Sequence, residues 1–142
     1  MSRYKRNQND AMAKRWTILF LGFAFLSIDE IAGIHESINS VIDDSWAIGG
    51  AVIVLLLAVY FLPFLKALPR ATLIGFVIAG SIFVRGAVGM EIIGEPMESD
   101  SLLYNMTTMV EEGMEMFGII LFLKALLRYM DTTSLTMGLE KT

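Results

Sequence analysis

The chain has 142 residues, 55% of them hydrophobic, with no cysteine and a formal net charge of −4 from 15 acidic and 11 basic side chains. Its mean hydropathy of +0.61 points to an integral membrane class rather than a water-soluble domain. The lack of cysteine excludes disulfides, iron–sulfur clusters and thiolate metal sites. No basic patch interleaves with aromatic residues, so nucleic-acid binding has no support.

Hydrophobic patterning predicts an all-α fold: one domain over 1–142, an integral membrane bundle of four transmembrane helices. The first helix is expected over about 13–42. Its early part, Trp16 to Ile28, is uncharged, and acids begin at Asp29. The basic N-terminus followed by this apolar run resembles a signal peptide, but Phe25-Leu-Ser-Ile-Asp29 is a poor cleavage site, so a retained anchor is expected. The second helix is expected over 46–65, a run without charge of roughly the length that spans a bilayer. Asp43, Asp44 and Ser45 suit its N-terminus as caps and dipole partners. Lys66 to Arg70 forms a tight connection. The third helix is expected over 71–94, where Gly75, Gly80, Gly86 and Gly89 allow close helix contact. A polar loop, Glu95 to Asp100, follows, and Asp100 is placed to cap the fourth helix, expected over 101–129. The tail after Asp131 is polar and expected to fray.

The basic residues give a topology. Arg3, Lys5, Arg6, Lys14 and Arg15 precede the first helix, Lys66 and Arg70 join the second to the third, and Lys124, Arg128 and Lys141 lie at or beyond the end of the fourth. The other two loops carry neither Lys nor Arg. The positive-inside rule then puts both termini in the cytoplasm.

The remaining basic residue, Arg85, falls inside an apolar segment. Asp29, Glu30, Glu36, Glu91, Glu111, Glu112 and Glu115 lie within or at the edges of three predicted spans. Ionisable residues in hydrocarbon are costly and mark functional sites by default. At about 1.5 Å per residue, Asp29, Arg85 and Glu111 each lie roughly 20 Å in from the cytoplasmic end of their helix, which puts them at one level. Asp29 and Glu36, seven apart, share a stripe. Glu111 and Glu115 share a face, whereas Glu111 and Glu112 diverge by about 100°, so one can enter the bundle while the other meets a second contact. Seven carboxylates with one Arg and one His leave negative charge that protons, a cation or a partner chain must balance. A hard divalent ion (Mn²⁺, Fe²⁺, Ca²⁺ or Mg²⁺) matches several carboxylates, and Mn²⁺ or Fe²⁺ best tolerates an imidazole. The expected ligands are Asp29, His35, Glu36, Glu91, Glu112 and Glu115, with Arg85, Glu30 and Glu111 tuning the charge. The plain alternative is a set of neutral, hydrogen-bonded carboxyls, or an Arg85 ion pair that orders the bundle.

Other signals fail. His35-Glu36-Ser37-Ile38-Asn39 is half of a zinc-protease helix motif, but Asn39 replaces the second His and the chain has no other. Glu112-x-x-Glu115 keeps the spacing of a di-iron bundle ligand pair without its His. The methionines of the third and fourth helices read as packing rather than Cu(I) ligands.

The segments Phe25-Leu-Ser-Ile-Asp-Glu-Ile-Ala-Gly-Ile-His-Glu36 and Val110-Glu-Glu-Gly-Met-Glu-Met-Phe-Gly118 resemble segments of uncharacterised bacterial multipass membrane proteins. These share an Asp-Glu…His-Glu helix and a later Glu-Glu-x-x-Glu-Met-x-Gly helix. The resemblance implies that Asp29, Glu30, His35, Glu36, Glu111, Glu112 and Glu115 form one recurring constellation in a bacterial inner membrane. It carries no activity. Three readings stay open: a cation or proton site facing the exterior, an accessory subunit of a larger membrane complex or homo-oligomer, and a carboxylate-bridged metal oxidase acting on a lipid-soluble substrate.

Overall fold

The computed structural model describes residues 3–32, 46–98 and 101–139. Among these residues there is no strand. Helix α1 runs Arg3–Ala32, α2 Trp46–Ala67 and α3 Arg70–Val84. The chain continues from α3 through a π-helical segment, Arg85–Met90, into a last turn, α4, Glu91–Gly94. Helix α5 then covers Leu102–Leu139. The expected helices are therefore present, but two of them overrun their expected ends. α1 starts ten residues before position 13, and α5 continues ten residues past position 129. Polar residues end a membrane span without ending a helix, because Lys, Arg, Gln and Met are good helix formers. Beyond Asp131, where fraying was expected, Thr133 donates its hydroxyl to the Tyr129 carbonyl at 2.8 Å and the helix holds. The expected end of the first helix at Ile42, the Asp43–Ser45 cap and the Asp100 cap lie outside the described residues.

Local chemistry accounts for the visible ends. Pro69, at φ −53° and ψ 142°, precedes α3 with its extended backbone and accepts from Leu73 N at 2.9 Å. Ser101 caps α5: its Oγ accepts from Tyr104 N at 3.1 Å, which satisfies an N–H that the first turn leaves open. The π segment contains Gly86 and Gly89, which lower the cost of leaving regular α geometry.

Helices α3 and α5 share the most extensive contact in the molecule, and they run antiparallel. Small residues set their separation. A Cβ on Gly75 would lie 2.8 Å from the Ala125 Cβ, and one on Gly118 would lie 2.9 Å from Phe83 N and 3.0 Å from Ala79 O. Close backbone approach at small residues is how helices pack in lipid, where no hydrophobic force drives them together. Gly80 and Gly89, expected to serve the same purpose, have open space where a Cβ would be. The glycine seam is narrower than the glycine pattern.

An aromatic cluster joins all the long helices at one end. The Trp16 ring meets Phe64 edge-on at 4.8 Å and stacks on Tyr129 at 5.7 Å, while Phe76 stacks on Phe122 at 4.3 Å. Buried Phe64, Leu68 and Phe76 form its centre. Arg15 extends its guanidinium over the Tyr60 ring at 5.6 Å. Elsewhere the surface is apolar: from Ile48 to Leu62, α2 shows an almost unbroken run of exposed Ile, Val and Leu side chains. A surface of this kind is unsuited to water. Asp10–Asp29, Ile48–Ala67 and Arg70–Gly94 are long and apolar enough to cross a membrane. Helix α5 interrupts its apolar stretch with Glu111, Glu112, Glu115, Lys124 and Arg128.

Candidate functional site

The acids of interest lie beyond the aromatic cluster, toward the far end of the bundle. Phe23 and Phe122 bring α1 and α5 together at 4.7 Å between ring centroids. Six residues further along α1 is Asp29, and seven residues back along α5 is Glu115. At the helical rise both lie about 10 Å beyond that ring contact, and Glu111 is one turn further out. Asp29, Glu111 and Glu115 are all partly buried.

The site centres on the π segment. A Cβ on Gly86 would lie 2.9 Å from the Glu111 carbonyl oxygen, 3.1 Å from the Glu115 Cγ and 3.1 Å from the Met114 Cβ. Gly86 therefore lets the chain press directly on the turn of α5 that carries the acids. Any side chain here would displace Glu111 backbone or push Glu115 away. The same contact puts residues 85–86 opposite 113–115, so Arg85 stands most of a turn nearer the basic end than Glu111 and not at the expected common height. Glu91 lies more than a turn further out and is partly buried. Near it, Gly94 packs against Tyr104 and buried Thr107, whose hydroxyl donates to the Leu103 carbonyl at 3.0 Å. Asp29, Glu91, Glu111 and Glu115 each take part in a hydrogen bond, ion pair or other electrostatic contact.

The expected constellation is thus brought together in part. Glu111 and Glu115 line the α3–α5 seam, and Asp29 approaches their level from α1. Glu112 is exposed, and so is Arg85. The 100° divergence between Glu111 and Glu112 is realised, with Glu111 partly buried and its neighbour outward. His35 and Glu36, and the surroundings of the Glu30 side chain, lie outside the described residues. Among the described residues, no group of three His, Cys, Asp or Glu side chains stands close enough to hold a metal ion. The π-helical segment was not foreseen from the sequence. Its two glycines read as packing glycines, and nothing in residue spacing distinguishes a π turn from an α turn.

Among the described residues, fold and site together define an all-helical arrangement with three helices long and apolar enough to cross a membrane and acids along the seam of the α3–α5 pair. The chain belongs to the family described as Domain of unknown function (DUF8692), which matches residues 3–130 and so includes both acidic segments. No curated protein and no solved structure matches the chain.

Proposed function

We propose that the chain is a four-pass membrane protein with both termini in the cytoplasm, and that its acids form an intramembrane site for a divalent cation, open toward the exterior. The single observation that carries the reading is the pressing of Gly86 onto the α5 turn that bears Glu111 and Glu115. Two partly buried carboxylates are held there beside a helix distortion of the kind that recurs at functional sites. Carboxylates gathered away from water must share protons or a cation. Glu111 and Glu115, four residues apart on α5, are the proposed oxygen ligands among the described residues, which by themselves hold no group of three. Asp29 approaches from α1, Glu91 stands more than a turn further out, and His35 and Glu36, which lie outside the described residues, are the proposed remaining ligands. An imidazole among carboxylates favours Mn²⁺ or Fe²⁺ over Ca²⁺ or Mg²⁺.

The topology is supported by the aromatic cluster. It ties together the parts of α1, α2, α3 and α5 next to Lys14, Arg15, Lys66, Arg70, Lys124 and Arg128, so these charges share one end of the bundle. This is the end that the positive-inside rule assigns to the cytoplasm.

The test is elemental analysis of chain purified from membranes without chelator, wild type beside Glu115→Gln. The expected outcome is a transition metal bound to the wild type and largely lost from the variant. Metal-free wild type, or the same metal content in both, would overturn the reading.

A further inference from the structure

Two opposite charges lie on the outside of the chain at similar heights. Arg85 opens the π segment and is exposed, and so is Glu112 on α5. Gly86 packs against the α5 turn from Glu111 to Glu115 at the level of Met114, so the two charges differ in height by about two to three residues' rise, roughly 3–5 Å. That height is about 22 Å from Arg70, well inside a span. The surroundings are apolar: Ile78, Met109, Val110 and Met116 are all exposed nearby. A charge shown to lipid at this depth is expensive, and such residues face other protein or a water-filled cavity.

A second copy of the chain supplies what is missing. Copies inserted in the same direction bring Arg85 of one within roughly 3–5 Å of the height of Glu112 of the next, a gap that the long Arg side chain spans. Each copy contributes one charge of each sign, so no charge is left over. A foreign subunit would have to match both signs at that depth independently. We infer that the chain associates with itself in the membrane, with Arg85 of one copy paired to Glu112 of its neighbour. Antiparallel helices turn in opposite senses when viewed from one end. The residue before the seam on α3 and the residue after it on α5 therefore leave the seam on opposite sides. The contact is head-to-tail, so each copy can bind two neighbours and the assembly can grow past a dimer. The inference rests on the membrane-spanning part of the proposed function and not on the cation.

The chain has no cysteine, so cross-linking is clean. Ser81 and Met116 are exposed one turn to the basic side of Arg85 and Glu112. A chain carrying both Ser81→Cys and Met116→Cys, in native membranes with a short bis-maleimide, is expected to give a ladder of dimers and larger species. Either substitution alone is expected to give none. Adding Arg85→Glu or Glu112→Arg to the double-cysteine chain should weaken association roughly tenfold. Carrying both reversals should restore it, which a folding defect would not do. Monomers only, dimers from single-cysteine chains, or reversals without effect would overturn the inference. Failure of the membrane reading would show differently, as chain released from membranes by alkaline carbonate.

Discussion

Gly118 and Gly113 illustrate how much depends on individual positions. Both lie on α5, five residues apart, and they read alike in the sequence. A Cβ on Gly118 would meet backbone atoms of α3 at 2.9 and 3.0 Å, and backbone cannot rotate away. Gly118→Ala should therefore destabilise the chain by about 1–3 kcal/mol in detergent unfolding. Gly113 has nothing within 4 Å, so Gly113→Ala should be neutral or stabilising by up to about 1 kcal/mol. Equal effects at the two sites would show that the α3–α5 seam is not where we place it. The acids show the same residue-scale resolution. Helical geometry alone separates Glu111 from Glu112, but it cannot say which of them turns inward. That choice is made by Gly86, a residue on another helix.

At the scale of elements, the helices were legible wherever charge is absent, because twenty apolar residues in a row have few other uses. Their ends were not legible where the chain leaves the apolar region without meeting a glycine or proline. Residues 3–12 of α1 and 130–137 of α5 are largely polar yet helical, with neither proline nor glycine among them, and Gly138 stands one residue before the end of α5. Pro69 separates α2 from α3 as expected, whereas Pro63 sits inside α2 without ending it. The π segment lay beyond reach because a wider turn has no composition of its own. Phe64, on α2, is the largest fully buried side chain, at 1% exposure, and meets Trp16 of α1 and the Phe76 side of α3 in the aromatic cluster. Phe64→Ala should cost about 3–5 kcal/mol through the lost contacts and the cavity left behind. A drop below 1 kcal/mol on that approximate scale, in the same detergent, would mean that the cluster does not hold the helices together.

For the molecule as a whole, the sidedness of charge is the most accessible claim. Glu98 lies in the loop between α4 and α5 and Lys124 lies near the basic end of α5, and both are exposed. Glu98→Cys should react with a membrane-impermeant maleimide in intact cells. Lys124→Cys should react only after lysis. The reverse pattern would invert the topology. The expectation itself needs only the sequence, because the positions of Lys and Arg set it without knowledge of packing. The acidic site was readable only as a list of members. The spacing along each helix gave heights, while the pairing of α3 with α5 and the approach of α1 needed tertiary structure.

The aromatic cluster has one more consequence. The residues that interlock the long helices, Trp16, Phe64, Phe76, Phe122 and Tyr129, all belong to the same third of the bundle. The molecule is built like a clothes peg, sprung at the basic end, with jaws that carry the carboxylates. Parting α1 from the α3–α5 pair at the jaws would break few contacts and leave the spring intact. Backbone amides around 24–29 should then exchange with deuterium well before those around Trp16, even though both belong to one continuous helix.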